Sequence, residues 1–224
     1  MDVRMTAHDV AQGLPDITAL RDHCRSLAVL EAVLSPEWGN RCHSFDTDWS
    51  QSEEAASMRN GSGDEYSIVF SPAGAYLRGF AHESPMSPYG NDGPWPGVLD
   101  EVPEDFAPYV DEPAFSDDGM PVVTVCLWRR TGDEGWSAGT IDYPESFHGD
   151  PDGAESLFAL LTDRSAEAFQ EWAEDYYETE VDLEAIRHVL ASRPLTEEVV
   201  TRLNPEVTLA ALTKELAGAG YPKA

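Results

Sequence analysis

A histidine and a glutamate stand side by side, as His82 and Glu83, just before the longest irregular stretch of the chain, residues 84–97. An imidazole that a carboxylate orients can act as a general base or as a metal ligand. Loops on a rigid scaffold are also where such sites usually lie. A histidine at a strand end often only hydrogen-bonds to nearby backbone, so a structural role stays open. His82 and Glu83 are therefore the catalytic candidates, and the irregular stretch adds three binding candidates: Tyr89, Asp92 and Trp95.

A second group of residues could bind by charge. Six carboxylates crowd the predicted end of an aromatic helix and the turn beyond it, where they repel one another and oppose the helix macrodipole. A role in binding a partner would explain why the chain contains this destabilising cluster of charges. The alternative is that the carboxylates form an ordinary solvated helix face. We expect Tyr176 and Tyr177, beneath the patch, to lie in the core. The six carboxylates are Glu171, Glu174, Asp175, Glu178, Glu180 and Asp182, and the binding candidates among them are Glu171, Glu174, Asp175 and Glu178.

Two further groups resemble metal sites only superficially. Residues 150–155 contain three carboxylates but lack the further oxygen ligands of a calcium loop, so we expect a turn and a helix start. The pairs His23-Cys24 and Cys42-His43 could meet around a soft metal, but no ligand spacing supports this, and Cys24 lies on an apolar helix face. The sequence therefore predicts no metal and no cofactor.

The common catalytic and nucleotide-binding signatures are absent from the sequence. It contains no GxxxxGK[ST] loop, no GxGxxG turn, no HExxH helix and no GxSxG elbow. This weakens the main hydrolase, nucleotide-binding and dehydrogenase hypotheses, and it favours a protein that is not an enzyme.

The charge of the chain is strongly negative. Asp and Glu number 42 against 14 Lys and Arg, a formal net charge of −28, and no Lys or Arg lies between Arg78 and Arg129. Such a surface repels nucleic-acid backbones and anionic lipids, and it attracts and steers a basic partner. General solubility and adaptation to high internal salt are the alternative explanations.

The pattern of apolar residues predicts an α+β fold. Apolar residues at steps of three and four indicate a helix over residues 17–34, and residues 1–13 are expected to be frayed. Alternating residues indicate a meander of antiparallel strands, followed by a central strand and a hairpin partner. We therefore expect one domain, residues 1–224, with a single antiparallel sheet of about five or six strands, an N-terminal helix and a C-terminal helical cluster. The expected strands are 41–46, 53–59, 66–70, 75–81, 121–130 and 136–141.

Cellular location follows from what the sequence lacks. No stretch approaches the roughly 18 apolar residues of a membrane span, and residues 1–15 contain no secretory apolar core. The three cysteines, Cys24, Cys42 and Cys126, have no CxxC spacing and are expected to be reduced. The sequence therefore predicts a cytoplasmic protein without membrane contact.

Several short strings of the sequence look familiar: residues 64–66, 70–74, 79–84, 86–89, 112–115, 126–130 and 176–178. They resemble a family of uncharacterised bacterial proteins of similar length, and the resemblance covers most of the chain. That family has no assigned activity, so the resemblance implies no catalytic role for any residue. More loosely, the acidic charge and the order of elements are similar to immunity proteins that neutralise polymorphic toxins.

Together these observations predict a non-enzymatic acidic binding protein that docks a basic protein partner. The protein would then be similar to an immunity protein, and its partner could be a basic toxin. The alternative is a small-molecule enzyme or hydrolase that uses His82 and Glu83 beside residues 84–97. A mimic of a phosphate backbone is a third hypothesis. The sequence leaves the partner's identity and the oligomeric state open.

Overall fold

The computed structural model describes residues 5–144 and 149–222. The chain divides into two compact units. The first comprises Met1–Ile17 and Met58–Thr162, and the second comprises Thr18–Ser57 and Asp163–Ala224. The expectation of one domain over residues 1–224 stays a prediction.

The sheets confirm the α+β class. Strands β1 (His43–Ser50), β2 (Glu53–Arg59), β3 (Glu65–Ser71), β4 (Gly74–Phe80), β5 (Ser116–Asp117), β6 (Met120–Pro121) and β7 (Val125–Arg130) are observed. Five of them form one sheet in the order β1-β2-β3-β4-β7, and β5 pairs with β6 in a small second sheet. β4 lies antiparallel to both β3 and β7.

In the first unit the core lies around β4 and β7. All seven residues of β4 are buried, and Val125, Cys126 and Leu127 have no exposed surface, as expected for a central strand. Helices α3 (Ala107–Val110), α4 (Ala154–Leu157) and α5 (Ala159–Thr162) belong to this unit. A Cβ at Gly79 would lie 2.8 Å from the Leu157 side chain, so glycine allows α4 to approach β4 closely.

The expectation of a frayed N-terminus is wrong for residues 7–13, which form helix α1 (Ala7–Gly13). A capping box joins Thr6 and Asp9, and Ala7, Val10 and Ala11 are buried. Local capping and burial together outweigh the entropy of a terminal segment. Residues 1–4, on which the expectation also falls, lie outside the described residues.

In the second unit, helix α2 (Ile17–Leu34) supplies a long buried face, and a helical cluster follows at the C-terminus. The cluster contains α6 (Ala166–Tyr177), α7 (Leu183–Leu190), α8 (Glu197–Leu203) and α9 (Thr213–Gly218). Ser165, Asp182 and Thr196 cap α6, α7 and α8, because each side chain accepts a hydrogen bond from a backbone N–H of the first turn. Both the N-terminal helix and the helical cluster are confirmed.

One expected strand, 136–141, does not form. Only Ser137 bridges to Trp128 of β7, and the segment then turns toward residue 97. A Cβ at Gly139 would lie 2.0 Å from the carbonyl oxygen of Gly97, and Trp136 donates its indole N–H to the Pro15 carbonyl at 2.7 Å. These contacts hold the backbone away from a regular ladder.

Across residues 5–144 and 149–222, no helix combines the length and the apolar composition that crossing a bilayer needs.

Candidate functional site

The structure places His82 and Glu83 on the surface of the first unit. Both residues are exposed. The backbone N–H of His82 donates to Asp64 at 2.7 Å, and its ring meets Phe80 edge-on and lies beside Gly63. The contacts observed for His82 are therefore local ones at the end of the β3–β4 hairpin.

Glu83 lines an open cleft of about 680 Å³ in the same unit, together with Asp64 and Asp150. Two of these carboxylates already have partners: Asp64 accepts from His82 and Asn60, and Asp150 accepts from two N–H groups of α4. Within the part of the chain that the structure describes, no three His, Cys, Asp or Glu side chains are grouped to hold a metal ion.

Residues 84–97 form no regular structure, as expected, and several of their polar groups bond within the first unit. The Asn91 side chain donates to two carbonyls of the same segment, and the Trp95 indole donates to the Asp142 carbonyl at 3.0 Å. Tyr89 is exposed and donates to Asp117 at 2.9 Å, which raises the pKa of its hydroxyl. Asp92 is exposed, so Tyr89 and Asp92 remain accessible, whereas Trp95 is half-buried.

Residues 150–155, which resemble a calcium loop only superficially, form a turn and a helix start, as expected. Asp152 is fully buried and accepts hydrogen bonds from the backbone of Ala7 and Ala154 and from the Tyr143 hydroxyl. Burial raises the pKa of this carboxyl. Asp152 thus ties α1 to α4, and its oxygens face protein donors.

The four acidic binding candidates belong to the second unit and lie along the last two turns of α6. Glu171, Asp175 and Glu178 are exposed, and among the described residues none of these three has a hydrogen-bonding or ion-pairing side-chain partner. Glu174 differs, since its carboxylate accepts from the Val181 backbone at 3.0 Å. Asp182 is also occupied, because Arg202 donates to both of its oxygens.

Two aromatic rings flank these carboxylates. Trp172 and Tyr176, one helical turn apart, stack with ring centroids 5.3 Å apart and an interplanar angle of 13°. The expectation that Tyr176 lies in the core is wrong, because 40% of the residue is exposed. We call Glu171, Trp172, Asp175, Tyr176 and Glu178 the acidic-aromatic end of α6.

Beneath this end lies a buried carboxylate that sequence reasoning did not identify, Glu31 of α2. Its side chain has no exposed surface. One oxygen lies 2.8 Å from Nδ1 of His43, and the other accepts from the Cys42 backbone N–H at 3.2 Å and from the Tyr177 hydroxyl. Burial, then the nearby Glu31 charge, raises the pKa of Tyr177, so this hydroxyl stays a donor.

The Glu31 cluster fixes the underside of the acidic-aromatic end. The His43 ring meets Trp172 edge-on with centroids 4.9 Å apart, and the Tyr176 hydroxyl hydrogen-bonds to the Cys42 thiol. That bond raises the pKa of Tyr176 to about 12, and burial raises the pKa of Cys42 to about 11. At neutral pH the thiol is therefore protonated and unreactive, and the rings are positioned by buried partners.

The sequence did carry a signal for this cluster. Glu31 interrupts the apolar run of residues 27–34, on the face where Leu27 and Leu30 are buried. A lone acid at a core position needs buried hydrogen-bond donors.

No protein-family model, curated protein or solved structure matches this chain, so its function must be inferred from its own geometry.

Proposed function

We propose that this chain is a non-enzymatic acidic binding protein that docks a basic protein partner through the acidic-aromatic end of α6. The observation that carries the proposal is the stack of the half-buried Trp172 on the exposed Tyr176, beside three carboxylates without ion-pair partners among the described residues. Aromatic rings bind cationic side chains through their faces, and carboxylates complement the same cations. We further propose, as the sequence predicts, that docking takes place in the cytoplasm.

Arginine fits this surface better than lysine. A planar guanidinium stacks on aromatic rings and bonds to a carboxylate through two parallel N–H groups, whereas an ammonium does neither. The Glu31 cluster holds the rings from below, so little side-chain entropy is lost when a cation docks. The immunity-like form of the proposal, with a basic toxin as partner, stays a prediction.

The two other hypotheses have less support. An enzyme would need His82 beside a reacting group, and the exposed His82 ring contacts Phe80 and Gly63 instead. A phosphate-backbone mimic would present carboxylates alone, whereas this surface combines carboxylates with a stacked tryptophan and tyrosine.

The first prediction concerns the three exposed carboxylates. In the triple variant Glu171→Gln, Asp175→Asn, Glu178→Gln, we expect the affinity for an arginine-rich peptide to fall about tenfold at low salt, since each exposed pair contributes up to about 1 kcal/mol. Isothermal titration calorimetry with that peptide, and with a lysine-rich peptide of equal charge, measures the effect. The wild type should prefer the arginine-rich peptide.

A matched control separates a specific site from overall charge. The variant Glu101→Gln, Asp111→Asn, Glu134→Gln removes the same charge from exposed residues of the first unit. We expect it to bind the arginine-rich peptide almost as tightly as the wild type does. Equal losses in the two triple variants would show that only net charge attracts the peptide, and the proposal would be wrong.

A second prediction concerns the effect of Glu178 on the free energy of unfolding. Glu178 ends α6 in the left-handed region, with φ of 52°, where glycine is favoured and a charged residue also opposes the macrodipole. We expect Glu178→Gly to raise the free energy of unfolding by about 1 kcal/mol and to weaken peptide binding. Urea unfolding and calorimetry measure both quantities. A variant that is less stable than the wild type would contradict this account of the helix end.

A further inference from the structure

The turn between β2 and β3 contains the pair Asn60-Gly61, which belongs to the first unit. In such a pair the backbone nitrogen of the glycine can attack the side-chain amide of the asparagine, because no Cβ shields the nitrogen. Gly61 is exposed, with φ of 76°, and a Cβ built on it would meet nothing within 4 Å. Among the described residues no acceptor is found for its N–H, whereas the Asn60 N–H donates to the Asp64 carbonyl at 3.2 Å. The turn therefore leaves this nucleophile free.

The side chain of Asn60 is held against the backbone that follows it. Its Oδ1 accepts from the Ser62 N–H at 2.9 Å and from the Asp64 N–H at 3.2 Å. The first bond closes an Asx turn, which folds Cγ of Asn60 back over the Gly61 peptide group. Both donors also stabilise the negative charge that develops on Oδ1 when Cγ is attacked. The turn thus holds the electrophile near the nucleophile and polarises it.

The nitrogen that would leave has a partner of its own. Nδ2 of Asn60 donates to Oδ2 of Asp64 at 2.8 Å, and Oδ1 of Asp64 accepts from the His82 backbone N–H at 2.7 Å. The second bond fixes the Asp64 carboxyl group beside the amide. A carboxyl group at this distance can pass a proton to the departing nitrogen.

We propose that Asn60 is a site of self-modification, at which the folded chain deamidates slowly without an enzyme. The Gly61 nitrogen forms a bond to Cγ of Asn60 and loses its proton. The bond between Cγ and Nδ2 then breaks, and ammonia leaves with that proton. Water opens the resulting cyclic imide and leaves an aspartate or an isoaspartate at residue 60.

The product would change both the turn and the cleft beside it. A carboxylate at residue 60 cannot donate to Asp64, so the 2.8 Å hydrogen bond is replaced by repulsion between two negative charges. Asn60 also lines the open cleft that contains Asp64, Glu83 and Asp150, to which the product adds a fourth carboxylate. Deamidation should therefore loosen the β2–β3 turn and make this cleft more acidic as the protein ages.

Peptide mapping by mass spectrometry tests the site on the full, folded chain during incubation at mildly alkaline pH. Asn60 should lose its amide at least about tenfold faster than Asn40 and Asn91, because the side chains that follow those two asparagines hinder the attacking nitrogen. Asn204 precedes a proline, which has no N–H, and should not react. Equal rates at Asn60, Asn40 and Asn91 would contradict the proposal.

The same chain in urea shows how the Asn60-Gly61 pair reacts without the turn. We expect the folded chain to lose the Asn60 amide at least as fast as the unfolded chain does, because the turn holds and polarises the reacting groups. An amide that survives in the folded chain but is lost in urea would overturn the proposal, since the hydrogen bonds of the turn would then protect Asn60.

Two variants test the consequence of the modification. Asn60→Asp reproduces the aspartyl product and should lower the urea midpoint of unfolding, because it replaces the bond to Asp64 by repulsion. Ser62→Asp adds the same charge to an exposed residue of the same turn but keeps that bond, and it should lower the midpoint less. Equal losses in the two variants would show that only the added charge matters, and the proposed loosening of the turn would be wrong.

Discussion

Replacing Glu31 with alanine is expected to lower the free energy of unfolding by about 3–5 kcal/mol, because the change leaves several buried groups without a partner. The carboxylate accepts from the Cys42 backbone and the Tyr177 hydroxyl and lies 2.8 Å from His43. Glu31 has no exposed surface, so its hydrogen-bond partners meet it in the core. Urea unfolding followed by circular dichroism measures the loss.

Two further variants distinguish the stabilisation by the Glu31 cluster from the general effect of removing a glutamate. Glu198→Ala removes an exposed glutamate from α8 and is expected to change stability by less than about 0.5 kcal/mol. Tyr177→Phe should cost about 1–2 kcal/mol, and its effect should shrink in the Glu31→Ala background because the two groups share one hydrogen bond. Additive effects would show that the Tyr177–Glu31 bond does not stabilise the fold.

The second large effect is expected at Asp152. Alanine at this position leaves the N–H groups of Ala7 and Ala154 and the Tyr143 hydroxyl without their acceptor, at a cost of about 3 kcal/mol. Hydrogen exchange should show the loss first in α1, which this carboxylate ties to α4. Asp142→Ala, an exposed position in the same unit, serves as the control.

The stability difference at Asp152 should also depend on pH. Burial raises the pKa of the folded carboxyl above its ordinary value of 3.8, so the folded state holds this proton more tightly than the unfolded state. The resulting stabilisation is present below the ordinary pKa and is lost as the pH rises through the folded pKa. The gap between wild type and Asp152→Ala should therefore widen as the pH falls from 7 toward 4. A gap that narrows over this range would contradict the assignment.

The helices and strands could be predicted from local patterns of the sequence. The alternation in residues 53–59 and 66–70 is enforced by one buried sheet face, and the apolar steps of residues 17–34 match a helix that packs on one side. The caps of α7 and α8 are equally local, because Asp182 and Thr196 each accept from a backbone N–H three residues further along the chain. Such information lies within a single element.

The expectations that proved wrong concern features that depend on contacts between residues far apart in the chain. The strand expected at 136–141 is prevented by the close approach of residue 97. Tyr176 is 40% exposed, although its hydroxyl bonds to Cys42 and Trp172 covers part of its ring. The composition of the sequence located the acidic stretch at α6, but it could not show which carboxylates have hydrogen-bond partners. Glu174 bonds to the Val181 backbone, whereas Glu171 and Asp175 remain available.

The central claim is that the acidic-aromatic end of α6 docks a cationic partner, and the salt dependence of binding tests it most directly. The affinity of the arginine-rich peptide should be measured over a series of salt concentrations for the wild type and for the triple variant of Glu171, Asp175 and Glu178. We predict a steep loss of wild-type affinity with salt and a clearly shallower slope for the variant. The same slope for both proteins would contradict the claim, because these three carboxylates would then take no part in binding.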